Sequence, residues 1–167
     1  MIQYDESIYC QSQQIPTVYI VVGVPASGKS FWSKRYVAKV NAFTEKIVYI
    51  SSDDIREEIC GDAQDQSRNN EVFEIFYNRA RQAIQEGKDV ILDATHLSKK
   101  TRRKCRNHFK NLNCKFIAVQ MKTPIEKAIR RNKNRNRVVP NYAMERMINA
   151  FEPVEENEGF DEIWRVK

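Results

Sequence analysis

The stretch Gly23-Val-Pro-Ala-Ser-Gly28-Lys29-Ser30 constrains this chain more than any other feature. It fits the spacing G-x-x-x-x-G-K-[ST]. Before it stands Thr17-Val-Tyr-Ile-Val-Val, a β-branched and aromatic run that is apolar on both faces. Such a run suits a central strand of a parallel sheet. A helix is expected next, from about Lys29 to Val40. A glycine-rich turn in that setting leaves successive backbone N–H groups pointing outward. The helix N-terminus adds its positive end, and together they make a phosphate cradle. Lys29 then reaches the β- and γ-phosphates, and Ser30 places its hydroxyl on Mg²⁺.

The remaining periodicities extend the pattern. Lys46-Ile-Val-Tyr-Ile reads as a second buried strand, closed by Ser51-Ser52-Asp53-Asp54. Val72, Phe73, Phe76, Ala80, Ala83 and Ile84 recur at helical spacing, and Gly87 supplies a stop. Asp89-Val-Ile-Leu is a third strand ending at Asp93. Ser98 caps a basic helix running to about Lys110. Cys114 to Met121 is a fourth strand, and Glu162-Ile-Trp-Arg-Val a fifth. Thr123-Pro-Ile-Glu126 starts a helix with Thr as N-cap and Pro at the first helical position, and that helix carries Arg130, Arg131 and Arg135. Pro140 opens another, with Met144, Met147, Ile148 and Phe151 on one face. Alternating strands and helices imply an α/β fold with a central parallel sheet of about five strands and helices on both faces. Ligands bind such sheets at the carboxyl ends of the strands. Residues 1–16 read as an N-terminal extension, and 17–167 as one domain with a helical lid over about 124–139.

Composition excludes other classes. The chain has 167 residues, 41% hydrophobic and 30% charged, with 5 Gly and 5 Pro. Those values do not fit collagen-like, disordered or disulfide-scaffold chains. The apolar run Val18 to Val24 is too short to cross a bilayer. Met1 leads into acidic and polar residues rather than a secretory signal. Cys10, Cys60, Cys105 and Cys114 contain no C-x-x-C pair, and His96 and His108 are the only histidines. Reduced cysteines and a cytoplasmic protein, with no structural zinc and no membrane partner, are expected. The net charge of +6 is unevenly spread: Lys99 to Arg137 holds fifteen Lys/Arg and the single acid Glu126. That segregation suits a polyanionic partner, and also a set of solvated helix faces. On the basic helix, Lys99, Lys100, Arg102 and Arg103 are the expected contacts.

A phosphate loop admits a kinase, a hydrolytic switch or a motor. No N-K-x-D guanine reader is present, and the chain is short for a motor, so phosphoryl transfer fits best. Transfer needs a group to align the attacking hydroxyl and accept its proton. Asp53 and Asp54 follow strand two and Asp93 ends strand three, all at the loop's edge of the sheet. Asp54, with Glu57 three residues on, is assigned to capping the helix that begins Ile55-Arg56, leaving Asp53 for chemistry. Arg56 lies on the first turn near the same mouth. Asp93 either holds Mg²⁺ through water or orients the loop. Thr95 and His96 either shape that loop or touch substrate. Arg131 and Arg135, four apart, share a helix face and suit a lid that neutralises triphosphate oxygens.

These residues together resemble the 5′-polynucleotide kinase family, P-loop kinases of adenylate-kinase-like architecture. The likeness runs from about Val18 to Val166. Its carriers are the loop Gly23 to Ser30, Ser52-Asp-Asp-Ile-Arg56, Leu92-Asp-Ala-Thr-His96 and Arg131-Asn132…Arg135…Val139-Pro140, with Phe151-Glu-Pro and Glu158-Gly-Phe-Asp161. The resemblance implies ATP-dependent phosphorylation of a 5′-hydroxyl end of DNA or RNA, with Mg²⁺. It implies that Asp53 is the general base, that Arg56 contacts the acceptor phosphate, and that Arg131 and Arg135 are lid arginines. The donor set is Gly23, Ala26, Ser27, Gly28, Lys29, Ser30 and Phe31 with the two lid arginines. The acceptor set is Asp53, Arg56, Asp93, Thr95 and His96. Relatives often carry Asn where His96 stands. No D-x-D-x-[TV] phosphatase signature occurs, so no 3′-phosphatase activity is expected. The competing readings are a P-loop kinase of a small molecule and a nucleotide-dependent nucleic-acid binder.

Overall fold

The computed structural model describes residues 14–167. Five strands, β1 (Thr17–Val22), β2 (Ile47–Ser51), β3 (Asp89–Asp93), β4 (Lys115–Met121) and β5 (Glu162–Val166), form one sheet in the order β2-β3-β1-β4-β5. Every pairing is parallel. Six α-helices connect them among the described residues: α1 (Lys29–Val40), α2 (Ser52–Cys60), α3 (Asn69–Gln85), α4 (Lys99–Asn107), α5 (Ile125–Lys133) and α6 (Asn141–Asn149). A 3₁₀ turn spans Glu156–Glu158. Part of the expected extension, residues 1–13, lies outside the described residues, and Pro16 already accepts a backbone hydrogen bond from Lys115 at 2.9 Å.

The alternation along β1 explains its unbroken apolar run. Val18, Ile20 and Val22 enter a core with Phe76 and Ala80 of α3 and Cys105 of α4. Tyr19 and Val21 enter the opposite core, with Trp32 and Tyr36 of α1 and Trp164 of β5. Parallel register then sets Val21 beside Asp93 and Val119, and Ser51 beside Asp93. The carboxyl ends of β1, β2 and β3 therefore share one edge, and the chemistry-bearing residues collect there. Cys60, Cys105 and Cys114 are free thiols. Among the described residues no helix is long and apolar enough to cross a membrane.

Four expectations need correction. The second helix starts at Ser52, not Ile55, and its N-cap is Ser51, whose Oγ accepts from the Asp54 N–H at 3.2 Å. Ser51 is extended, with φ −115°. A serine in that conformation can turn its hydroxyl onto the third N–H, so neither Asp54 nor Glu57 is needed for capping. Pro124, not Thr123, precedes α5; the Thr123 hydroxyl instead donates to the Ser27 carbonyl at 2.7 Å. Arg135 lies beyond the end of α5 and shares no helix face with Arg131. The helix stops because Asn132 pins the returning chain: its Nδ2 donates to the Val139 carbonyl at 2.8 Å and its Oδ1 accepts from the Val139 N–H at 3.0 Å.

Arg102 is the fourth correction. Its side chain is fully buried and pairs with Glu158, at 2.7 Å from Nε and 2.6 Å from Nη2. Nη1 donates to the carbonyls of His96, Leu97 and Glu152. A buried charge persists only with such full pairing. Arg102 therefore ties α4 to the chain before β5 and cannot face a polyanion, whereas Lys100, Arg103 and Lys104 are exposed.

Candidate active site

The phosphate loop leaves β1 at Gly23, where a Cβ would stand 2.6 Å from Ser27 Oγ and 3.2 Å from Met121 Cβ. Any side chain there would have to displace both. The Gly23 N–H donates to the Thr95 carbonyl at 3.1 Å, tying the loop to the chain after β3. Ala26 (φ 60°) and Gly28 (φ 98°) turn the backbone through the left-handed region. For Ala26 that conformation is unfavourable by roughly 1–2 kcal/mol, strain of the sort held at binding loops. Gly28 precedes α1, and no side chain caps that helix. Its first N–H groups are left for a ligand.

Lys29 is buried and its Nζ donates to the Val24 carbonyl across the loop at 2.9 Å. Burial holds the amine below its ordinary pKa, Asp93 and Asp53 pull it back up, and Arg135 adds to the lowering. An anion placed in the loop would restore the charge that burial penalises. Beside it, the Ser30 hydroxyl donates to Asp93 Oδ2 at 2.6 Å. The Tyr49 hydroxyl donates to the same oxygen, also at 2.6 Å. Burial and the Asp93 charge push the Tyr49 phenol well up, so it stays a donor. Asp93, grouped from sequence with the acceptor residues, is thus turned toward the phosphate-loop serine. Tyr49 was missed, because in the sequence it is one more apolar residue of a buried strand.

A magnesium ion fits this corner. Among the described residues no cluster of three or more His, Cys, Asp or Glu could hold a metal. Mg²⁺ bound to a nucleotide needs none, since phosphates and waters supply most of its six oxygens and the protein one or two. Ser30 and Asp93 are oxygen donors of that number and kind.

Asp53 stands on the first turn of α2 at the same edge, with its carboxylate about half exposed. Arg56 Nη1 donates to Oδ1 at 2.9 Å and Arg137 Nη2 to Oδ2 at 2.6 Å. The Arg56 side chain is only 6% exposed, and its Nη2 donates to Asn69 Oδ1 at 2.9 Å. The fold itself therefore fixes Arg56, whereas Arg137 arrives from the segment after α5. That segment also brings Arg135, whose Nε is buried without a partner. Burial first, and Arg137 second, hold the Arg135 guanidinium below its ordinary pKa, against a pull from Asp53. Arg131, on α5, lies at the phosphate loop, its Nη1 3.7 Å from where a Cβ on Gly28 would stand. In the sequence Arg137 only closes the basic stretch that starts at Lys99, and it has no role there.

His96 is corrected from a substrate contact to a loop-shaping residue. It is buried with φ 46°, its Nδ1 pairs with the Val21 carbonyl at 2.9 Å, and its Nε2 is shut off from solvent. Burial lowers its pKa to about 4, so the ring is neutral at physiological pH. Thr95 is half-buried, and its carbonyl serves Gly23.

A cleft of about 970 Å³ opens beside the loop, with Gly28, Phe31, Trp32, Lys127 and Arg131 among its lining. Phe31 is 68% exposed at its mouth, with the Arg35 guanidinium 5.5 Å from the ring centre. Six cationic side chains line the cleft and no acidic one does. It therefore suits an aromatic ring carrying phosphates. A smaller groove of about 440 Å³, against the edge of β2, touches this region only through Ser51 and Asp54.

A five-stranded parallel sheet carrying this loop, a serine–aspartate corner and an arginine-bearing segment after β4 defines a P-loop NTPase of the kinase fold. The chain belongs to the AAA domain family, whose model matches residues 18–154. L-seryl-tRNA(Sec) kinase of Methanococcus maripaludis is 24% identical over 133 residues, covering 80% of this chain and 51% of that protein. The chain thus spans about half the length of the curated relative it matches. Among solved structures, a chain of the Pnkp1/Rnl/Hen1 RNA repair complex superposes with a TM-score of 0.71 at 18% identity, over 82% of this chain and 44% of that one. Chaetomium thermophilum Kti12, in complex with ADP-AlF3, superposes with a TM-score of 0.71 at 17% identity, over 89% and 88%. Likeness at such identities establishes the fold.

Proposed function

We propose that this chain transfers the γ-phosphate of ATP to the 5′-hydroxyl end of DNA or RNA. The observation that carries this reading is the placement of Asp53, held by Arg56, at the sheet edge that also carries Lys29 and the Ser30–Asp93 corner. A carboxylate so placed can accept the proton of a hydroxyl that attacks the γ-phosphorus. The new bond joins the acceptor oxygen to phosphorus, the bond to the β-phosphate oxygen breaks, and ADP leaves. The Arg56 guanidinium beside Asp53 suits an acceptor that carries a phosphate close to its hydroxyl, as a nucleic-acid end does.

Each of the other residues has a part. The loop N–H groups and Lys29 hold the phosphates. Ser30 and Asp93 would hold a Mg²⁺, which when bound neutralises charge on the phosphate oxygens. Arg131 and Arg135, in a lid over about 124–139, meet charge that grows as the γ-phosphoryl transfers. The nucleoside occupies the Phe31 cleft. The exposed cations of α4, Lys100, Arg103 and Lys104, are the proposed contacts for the acceptor strand. A chain of an RNA repair complex among the similar structures supports a nucleic-acid acceptor, and the L-seryl-tRNA(Sec) kinase, by its name, acts on a seryl group carried by a nucleic acid. The product, a 5′-phosphate end, is the substrate of strand-joining chemistry, which suits a part in nucleic-acid repair.

The test is transfer of labelled phosphate from [γ-³²P]ATP, with a 5′-hydroxyl oligonucleotide and a panel of small hydroxyl acceptors run side by side. Label on the oligonucleotide, abolished by a pre-existing 5′-phosphate, is expected. Label confined to a small acceptor would overturn the reading, and so would the absence of any transfer.

A further inference from the structure

The two guanidiniums on Asp53 come from different parts of the molecule and are anchored differently. Arg56 is three residues away on the same helix, buried, and tied to Asn69 as well. Arg137 comes from 84 residues away, is 36% exposed, and has Asp53 as its hydrogen-bond partner. The segment that delivers it is a closed loop. Asn132 fastens both backbone groups of Val139, which closes residues 132–139 into one loop with Arg135 and Arg137 on it. The Gln64 side chain adds a tie to the Val138 carbonyl at 3.4 Å. The position of the loop and the aim of the Asp53 carboxylate are thus coupled through one ion pair.

We infer that Arg137 is a positioning residue for the transfer, fixing the Asp53 carboxylate from the side opposite Arg56 so that the base is aimed when the arginine loop is closed. This rests on the reading of Asp53 as the proton acceptor. With each carboxylate oxygen held by one guanidinium, rotation about the Cβ–Cγ bond is blocked. The lone pairs left over then point in fixed directions, and one of them can take the acceptor hydroxyl. Arg56 alone would leave the carboxylate free to swing. The ion pair also serves order of events: the loop that brings Arg135 toward the phosphates is the loop that sets the base, so closing over the donor and aiming at the acceptor become one movement. Arg137 acts through Asp53 in this scheme, whereas Arg135 acts on the transferred phosphate.

A double-mutant cycle separates these roles. In the wild-type background Arg137→Ala is expected to lower kcat for the oligonucleotide about 10–100-fold, the span of a missing charge-assisted hydrogen bond. The KM for ATP should stay within about twofold, and Arg137→Lys should recover part of the activity. On top of Asp53→Asn, Arg137→Ala should cost no more than about twofold, since its target has gone. Arg135→Ala should keep its full effect in that background. Independent, multiplying losses from Asp53→Asn and Arg137→Ala would overturn the inference, and so would an unchanged kcat in Arg137→Ala. A second measurement does not depend on the acceptor. Amide hydrogen exchange across 132–139 should quicken alike in Arg137→Ala and Asp53→Asn, and unchanged exchange in both would overturn the coupling. If exchange quickens but wild type labels no oligonucleotide, the loop coupling stands, and both the acceptor reading and the positioning role built on it fall.

Discussion

The Ser30 hydroxyl donates to Asp93 Oδ2 at 2.6 Å, joining the first turn of α1 to the end of β3 across 63 residues. This bond puts the phosphate-loop serine and the strand-end carboxylate on one corner, and Tyr49 completes it from the neighbouring strand. Positioning groups of this sort typically change metal affinity about 10–100-fold. Tyr49→Phe is therefore expected to raise the Mg²⁺ concentration for half-maximal rate about tenfold, and Asp93→Asn to raise it further. Binding of metal-free ATP should not change. A magnesium titration of both variants checks this; an unshifted midpoint in Tyr49→Phe would remove the tyrosine from the metal corner.

Lys29 is held in a place that is costly for a charge without a ligand, because burial opposes its protonated form. Lys29→Met removes that cost and keeps the stem's packing. The variant should lose transfer and yet unfold at the same temperature as wild type or a higher one. Thermal melts with and without ATP give the second half of the result: ATP should raise the wild-type midpoint and leave the variant's nearly unmoved.

The Arg102–Glu158 pair carries the fold rather than the chemistry. Both side chains are buried, at 0% and 6% exposure, and removing one partner strands the other. Arg102→Ala should cost about 3–5 kcal/mol, read as a melting temperature lower by about 6–20 °C. Acid should expose the same pair. Burial raises the Glu158 pKa, but the Arg102 hydrogen bonds outweigh it and the net direction is down from 4.5. A carboxyl with a lowered folded pKa stabilises above its unfolded value and loses that stabilisation as pH falls through the folded one. Wild type should therefore lose stability below about pH 4.5 more steeply than Glu158→Gln.

These cases mark where the sequence was informative and where it was not. The strands of the sheet, α1 and α3 were readable because apolar period reports directly on which face is buried. The phosphate loop was readable because its residue types have few other uses in that spacing. Arg102 was not, because a tally of charges does not distinguish a cation facing water from one buried beneath a carboxylate 56 residues away. Arg137 and Tyr49 were not, because their partners are fixed by strand order and loop closure, which no local pattern records. The cap at Ser51 was misread because every residue from Ser51 to Asp54 is of a type that can cap, and backbone conformation alone chose among them.

The exposed face of α4 can be tested apart from Arg102. Charge reversal at Lys100, Arg103 and Lys104 should weaken oligonucleotide binding and flatten its log–log salt dependence by about 0.7 for each phosphate no longer neutralised. Melting temperature should stay put, since these side chains are exposed. An unchanged slope would send the acceptor strand along another surface.

The most direct measurement is single-turnover transfer to a 5′-hydroxyl oligonucleotide by wild type and Asp53→Asn. The substitution keeps the shape of the side chain between Arg56 and Arg137 and removes its proton-accepting charge. The rate should fall by about 10²–10⁴, the usual worth of a general base, with ATP affinity within about twofold of wild type. A folded Asp53→Asn protein that transfers at the wild-type rate would contradict the account, because the proton of the acceptor hydroxyl would then leave by another route.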